Sequence, residues 1–123
     1  MDKDNAACYA QMELENCDVK VTSTSGAYVY GVYTNAVAKT VNSVEKAVAS
    51  KVNINGGTYT ITAATSNAYG IYAPNRAVST NKKATAAVEM TIKNINLNVS
   101  TNSTTTAVGI RTAGSSTIEG VNI

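Results

Sequence analysis

The sequence predicts an all-β chain that folds as a right-handed parallel β-helix, a solenoid of about three to four coils with loop insertions. Two repeated sequence blocks and an unusual composition indicate this fold class. One block, "YVYGVYTN", "NAYGIYAPN" and "TAVGIRTAG", places Gly31, Gly70 and Gly109 at equal spacings of 39 residues. The other precedes each copy of the first and reads "MELENCDVKVT", "VNINGGTYTIT" and "MTIKNINLNVS", with a partial fourth copy, "STIEGVNI". Self-similarity at a fixed period is typical of repeat architectures.

The composition fits a thin stacked core better than a spherical one. Of the 123 residues, 44% are hydrophobic, but none is Phe or Trp and most of the apolar residues are Ala and Val. The net charge of +2 is too small to form the basic stripe that binds a nucleic-acid backbone. No apolar run reaches the roughly 20 residues that span a bilayer. We therefore predict one domain over residues 1–123 with an N-terminal extension at 1–6, and neither a nucleic-acid partner nor membrane insertion.

Alternating apolar and polar columns in the second block predict strands with one buried face. Aligned copies give three inward columns: Leu14, Ile54, Ile92 and Ile118; Val19, Tyr59, Leu97 and Ile123; and Val21, Ile61 and Val99. Copies that stay in register without reversing direction require parallel pairing, since a hairpin would reverse the chain.

One column of the second block contains only Asn and Gly, namely Asn16, Gly56, Asn94 and Gly120. These two residue types tolerate the left-handed backbone region that most side chains avoid. We therefore expect a sharp corner with positive φ at this position in every copy, joining two short strands. After the corner, the next inward column is Cys17, Gly57, Ile95 and Val121.

The glycine block predicts a third strand. Arg111 is unsuited to a dry core, so its column, Tyr33, Tyr72 and Arg111, is expected to point outward. Strict alternation then turns Gly31, Gly70 and Gly109 outward as well, and turns two further columns inward: Tyr30, Tyr69 and Val108, and Val32, Ile71 and Ile110.

Unequal repeat lengths predict insertions at about residues 34–47 and 73–85. In the first insertion, Val37, Val41, Val44 and Val48 are spaced as one face of a helix. No Gly or capping signal closes such a helix, so the sequence favours a loop, with a short helix as the alternative.

These blocks resemble the right-handed parallel β-helix superfamily, which includes pectate-lyase-like folds and the passenger regions of bacterial surface adhesins. The resemblance covers about residues 7–123 and rests on the patterns "I-x-N/G-h-x-h-x-h-T" and "A-h-G-I", where h is apolar. It implies that an enzyme of this superfamily would carry clustered carboxylates, often with calcium, or an Arg or Lys base on one outer face.

The sequence predicts no catalytic residue, cofactor or metal site. It contains no histidine, which removes the commonest general base and the usual zinc ligands. Glu15 is separated from Lys93 by Asn55 in one outward column, and Lys93 and Glu119 are expected to form a surface ion pair. Cys8 and Cys17 fall in inward columns, so we expect two buried, unpaired thiols.

Two outward surfaces are candidates for binding. Tyr33, Tyr72 and Arg111 could stack on a sugar ring and bind its carboxylate; alternatively the tyrosines cover bare glycine backbone and Arg111 stacks on Tyr72. A second surface suggests an ice-binding solenoid, although Asp18 and Lys20 interrupt it; it carries Thr58, Thr60, Thr62, Asn96, Asn98 and Ser100.

The regular features specify stacking and nothing irregular specifies a reaction. The sequence therefore predicts a structural or adhesive protein of the cell surface or extracellular space, not an enzyme. We expect it either to stack head to tail into a filament or to be a piece of a longer solenoid, because neither end carries a polar cap. A carbohydrate-binding module with surface glycans as partners, and an ice binder, are the alternatives.

Overall fold

The structure is a computed structural model that describes residues 5–40, 45–79, 84–102 and 104–123. These residues are all-β, and no helix occurs among them. The strands, in chain order, are β1 (Asn5–Ser23), β2 (Val29–Tyr33), β3 (Ala36–Thr40), β4 (Glu45–Ala63), β5 (Ala68–Ala73), β6 (Asn75–Ser79), β7 (Ala84–Lys93), β8 (Asn96–Thr101), β9 (Ala107–Thr112) and β10 (Ser115–Glu119).

The strands form three parallel sheets. The largest has the order β1-β4-β7-β10, with β8 also paired to β4; the second is β2-β5-β9 and the third is β3-β6. Within each sheet, neighbours are the same sequence block from successive repeats, and all the ladders between them are parallel. The predicted all-β class and the parallel pairing of the copies are thus confirmed.

The register of the second block is also the predicted one. Leu14 pairs with Ile54, Ile54 with Ile92, and Ile92 with Ile118. The two other inward columns pair in the same way across β1, β4 and β8. Each residue type therefore stacks on its counterpart in the next copy.

The corner column has the backbone conformation that its composition predicts. Asn16 and Asn94 have φ of 50° and 55°, and Gly56 and Gly120 have φ of 73° and 63°. The sequence predicts two short strands joined by the corner. In the first two copies, however, one long strand, β1 or β4, continues through the corner. Pairing resumes immediately past the corner, from Glu15 opposite Asn55 to Cys17 opposite Gly57, so one unpaired residue does not end the strand.

Both predicted insertions contain strand, which corrects the expectation of a loop or a helix within them. β3 and β6 pair in register from Ala36 opposite Asn75 to Thr40 opposite Ser79, so 36–40 is neither a helix nor a loop. Ala36 and Ala38 are buried around the exposed Val37, which is the period of a strand. Val48 lies on β4, while Val41 and Val44 lie outside the described residues. The strand β1 begins at Asn5, inside the expected extension.

The core lies between the sheets and is best covered in the middle copies. Ile54 and Ile92 are buried, Leu14 is only partly buried, and Ile118 is 49% exposed, although all four share one column. The two cysteines are also less buried than predicted, because they lie in an end copy. Both are free, as expected, but Cys8 is exposed and Cys17 half-buried. They lie on β1, which among the described strands pairs only with the sheet neighbour β4, so one side of β1 is not covered by another described copy.

Tyr59 is the largest of the fully buried side chains. Its hydroxyl has no hydrogen-bond partner among the described residues. Burial, followed by the nearby Cys17 and Asp18, raises the pKa of Tyr59 above its ordinary value of 10.0. Burying a hydroxyl without a hydrogen-bond partner costs more free energy than burying a hydrogen atom at the same position.

We expect Tyr59→Phe to raise the free energy of unfolding by about 1 kcal/mol, measured by urea denaturation at neutral pH. The raised pKa means that the folded chain holds the phenol proton more tightly than the unfolded chain. The stability that comes from this tighter binding of the proton is fully present below about pH 10 and is lost as the pH rises through the folded-state pKa. The stability advantage of the Phe variant over the Tyr59 chain therefore grows above about pH 10. Tyr33→Phe, at an exposed tyrosine, is the control and should change little; a destabilised Tyr59→Phe variant would show that the hydroxyl is satisfied.

Candidate functional site

A two-column surface of aromatic side chains lies on the sheet formed by β2, β5 and β9. One column is Tyr30, Tyr69 and Val108, and the other is Tyr33, Tyr72 and Arg111; each is paired in register from strand to strand. These six residues are called the tyrosine–arginine grid below. Because the strands are parallel, equivalent side chains of successive copies lie about 4.8 Å apart along each column.

The direction of the glycine column corrects the sequence prediction. A Cβ atom on Gly31 would lie 2.7 Å from Cδ1 of Ile61, and one on Gly70 would lie 2.7 Å from Cδ1 of Leu97. Ile61 and Leu97 are core residues, so these glycines face inward and not outward. Only glycine leaves room for the large core side chains at this point.

The prediction that Tyr30 and Tyr69 point inward is also wrong, since their side chains do not enter the core. The Tyr30 ring stacks on the Tyr72 ring with centroids 5.5 Å apart and planes at 11°, which places both rings on the same side of the sheet. Strict alternation fails because Gly31 and the buried Val32 both face inward. The ladder pairs Tyr30 with Tyr69 and Val32 with Ile71 without pairing the glycines, which marks this local break.

The four tyrosine rings of the grid contact one another. Ring centroids lie 5.3 Å apart for Tyr30 and Tyr69, 5.2 Å for Tyr69 and Tyr72, and 5.8 Å for Tyr33 and Tyr72. Tyr28, which is 64% exposed, meets Tyr69 edge to face at one side of the grid. Such pairs each contribute about 0.5–1.5 kcal/mol beyond burial of their area, so the rings hold one another in place.

Arg111 completes the outward column as predicted. Its guanidinium carbon lies 5.5 Å from the centroid of the Tyr72 ring, which confirms the stacking of Arg111 on Tyr72. The side chain is exposed, and no described carboxylate lies within ion-pair distance of it. A guanidinium that lies over an aromatic ring still carries N–H groups that can donate to an anion.

Tyr30 adds no negative charge to the grid near neutral pH. Burial, followed by the neighbouring tyrosines, raises the pKa of Tyr30 above its ordinary value of 10.0. The phenol therefore stays neutral at physiological pH, and Arg111 supplies the charge of the grid.

The predicted polar surface also lies on one face, across β1, β4 and β8. Thr58, Thr60 and Thr62 pair with Asn96, Asn98 and Ser100, respectively. The hydroxyls of Thr62 and Ser100 lie 3.2 Å apart, and Asp18 Oδ1 accepts a hydrogen bond from the backbone N–H of Thr58 at 3.2 Å. Asp18 and Lys20 interrupt the array in the first copy, as the sequence indicates, and ice binding stays a prediction that thermal hysteresis would test.

The charged side chains form pairs across the copies. Lys93 and Glu119 make the predicted ion pair at 3.0 Å, and the side-chain amide of Asn55 donates to Glu15 Oε1 at 2.9 Å. Lys51 and Glu89 form a second ion pair at 3.6 Å that the sequence analysis did not identify. Among the described residues, no group of three or more Cys, Asp or Glu side chains is placed to hold a metal ion. Within the same residues, no helix is long and apolar enough to cross a membrane.

The chain was compared with family models, with curated proteins and with solved structures. None of these comparisons gives a match.

Proposed function

We propose that the chain is a structural or adhesive, non-catalytic module of the cell surface, built as a right-handed parallel β-helix whose copies stack end to end. The proposal rests on the strand order, because successive segments of the chain return to the same sheets. The chain passes through β1, β2 and β3, and then through β4, β5 and β6, each pairing with its predecessor. A third pass through β7, β8 and β9 follows, and the proposal takes each pass as one coil of a solenoid.

The right-handed sense follows from the chirality of the backbone. About 98% of connections between parallel strands of one sheet are right-handed, because the strand twist favours that return path. All pairings between successive copies are of this parallel type.

End-to-end stacking is supported by apolar side chains at the two end coils. Ile118 and Ile123 are 49% and 74% exposed at one end, and Tyr9 is 60% exposed at the other. The strand β1 has the same block pattern as β4 and β7, so a second copy of this chain fits the open edge of β10 with Leu14 on Ile118. Such a head-to-tail contact repeats without closing and builds a filament.

Stacking in this register places like charges next to each other, and their repulsion opposes association. Glu15 of the added copy would lie beside Glu119, because both belong to the column that also contains Asn55 and Lys93. Like charges directly opposite each other in adjacent strands are destabilising, and salt screens this repulsion between exposed groups. Association should therefore strengthen with ionic strength.

Sedimentation velocity over a range of protein and salt concentrations tests the proposal. We expect species larger than the 12.8 kDa chain, growing with both concentrations, and filaments by electron microscopy. Ile118→Lys should abolish association by placing a charge in the contact, whereas Glu15→Gln should strengthen it at low salt and still accept from Asn55. A monodisperse monomer under all of these conditions would refute end-to-end stacking.

A further inference from the structure

We propose that Tyr30 is the site of an oxidative cross-link, a carbon–carbon bond that joins its ring to the ring of Tyr69 or Tyr72 on the neighbouring strand. The oxidant is hydrogen peroxide, used by a peroxidase that removes one electron at a time from accessible phenols. The bond ties β2 to β5, and hence one copy of the repeat to the next. This modification goes beyond the structural role above and does not depend on stacking.

The ring geometry around Tyr30 suits this bond. The planes of Tyr30 and Tyr69 meet at 18° with centroids 5.3 Å apart, and those of Tyr30 and Tyr72 meet at 11° with centroids 5.5 Å apart. In a tyrosyl radical the half-filled orbital is perpendicular to the ring, so two radicals couple through their faces. Stacked rings at this separation are in contact, and the fold therefore holds the two reactants together before they are oxidised.

The reactive edges of these rings also lie close together. Radicals of this kind couple at the ring carbons next to the hydroxyl, where much of the unpaired electron density lies. Burial, followed by repulsion from the ionised forms of Tyr69 and Tyr72, raises the pKa of Tyr30 above its ordinary value of 10.0. Because such repulsion acts between phenol oxygens, the hydroxyl ends of the two β5 tyrosines lie near that of Tyr30.

The oxidant reaches these rings from the solvent. Tyr33 is 49% exposed, and its ring centroid lies 5.2 Å from that of Tyr30 and 5.8 Å from that of Tyr72. Tyr30, Tyr69 and Tyr72 are themselves partly exposed. An electron lost from Tyr33 can be replaced from a ring in contact with it, because all of these side chains are phenols. Oxidation at the exposed ring therefore also produces a radical at Tyr30.

The reaction balances with one molecule of hydrogen peroxide. Each of the two phenols loses one electron and one proton, and the two radicals form a bond between carbons next to their hydroxyls. The hydrogen on each coupled carbon then moves to the oxygen, which restores both phenols. The two electrons and two protons reduce the peroxide to two water molecules. The chain therefore loses two hydrogen atoms, with two C–H bonds broken and one C–C bond formed.

The test treats the full chain in dilute solution with a haem peroxidase and hydrogen peroxide, followed by denaturation, tryptic digestion and mass spectrometry. Trypsin leaves Tyr30 in the peptide 21–39, and Tyr69 and Tyr72 in the peptide 52–76. We expect these two peptides to be joined with the loss of two hydrogen atoms, in a yield that does not change with protein concentration. The linked chain should also unfold at a higher urea concentration, because the bond closes a long loop in the unfolded chain.

Tyr30→Phe should remove the link between the two peptides, and the double variant Tyr69→Phe/Tyr72→Phe should remove it as well. Tyr28→Phe is the matched control and should retain the link. Tyr28 lies in the same tryptic peptide and is 64% exposed, but its ring meets that of Tyr69 edge to face at 85° with centroids 6.3 Å apart. Circular dichroism and urea denaturation show whether each variant is folded before oxidation.

Two results would overturn the proposal. One is the absence of the joined peptides under conditions in which the same peroxidase couples free N-acetyltyrosine. The other is a link that persists in Tyr30→Phe, or that is lost equally in Tyr28→Phe, since either would show that Tyr30 is not the site. Because the readout is a bond within one dilute chain, neither result bears on end-to-end stacking.

Discussion

Replacing Gly57 with alanine is expected to lower the free energy of unfolding by about 3 kcal/mol or more, a large share of the 5–15 kcal/mol typical of a folded domain. Gly57 has φ of 98°, a conformation that side-chain-bearing residues rarely adopt. An added Cβ would also lie 2.7 Å from the backbone nitrogen of Cys17 and 2.8 Å from its carbonyl carbon, and still closer to its carbonyl oxygen. These are backbone atoms of the paired strand, so the clash can be relieved only by separating β4 from β1.

Gly26→Ala is the matched control, because a Cβ added there would meet no atom of the described residues within 4 Å. It should leave stability unchanged or raise it by a few tenths of a kcal/mol, since alanine restricts the unfolded chain. Urea denaturation of both variants, followed by circular dichroism, makes the comparison. Equal stabilities for the two alanine variants would show that the backbone at Gly57 is free to relax.

The sequence alone is sufficient to predict the strand register of the second block. Leu14, Ile54, Ile92 and Ile118 occupy one column in the alignment and are neighbours in the structure, because period-two alternation fixes which residues face the core. The corner is predictable for a different reason. A column of only Asn and Gly points to positive φ, and Asn16 and Asn94 have it.

Sequence analysis fails at positions where the residue type does not indicate the backbone conformation or the direction of the side chain. Gly57 shares a column with Cys17, Ile95 and Val121, so nothing in that column signals its positive φ. Strict alternation from Arg111 predicts an outward Gly31, and this prediction is wrong because Gly31 and Val32 both face inward. One consequence is that Tyr30 and Tyr69 were missed as members of the candidate site.

The exposure of Cys8 shows a second limit. Its column was assigned correctly, since it pairs with Val48 and Val48 pairs with Ala86. Burial, however, depends on how many copies lie above and below, and within the described part of the chain β1 has a neighbour on one side only. Alignment of repeats predicts which side chains stack, but it does not predict how well an end copy is covered.

Replacing Ile92 with alanine is expected to lower the free energy of unfolding by about 3 kcal/mol, as is usual for a large-to-small change in a packed core. Ile92 is fully buried and lies between Ile54 and Ile118 in the column, so the neighbouring copies hold the cavity open. Ile118→Ala makes the same chemical change in the same column at a side chain that is 49% exposed. In the dispersed chain it should cost less than about 1 kcal/mol, because less apolar area returns to water.

The difference between these two variants also reports on stacking. In an end-to-end assembly Leu14 of the next copy would cover Ile118, so Ile118→Ala should weaken association although the single chain remains stable. Ile92→Ala should lower the stability of the single chain at every protein concentration. Urea denaturation at low protein concentration measures the loss of stability in Ile92→Ala, and sedimentation velocity at high concentration measures the weaker association of Ile118→Ala. Equal losses of stability in dilute solution would mean that Ile118 is already covered, and that another surface mediates any association.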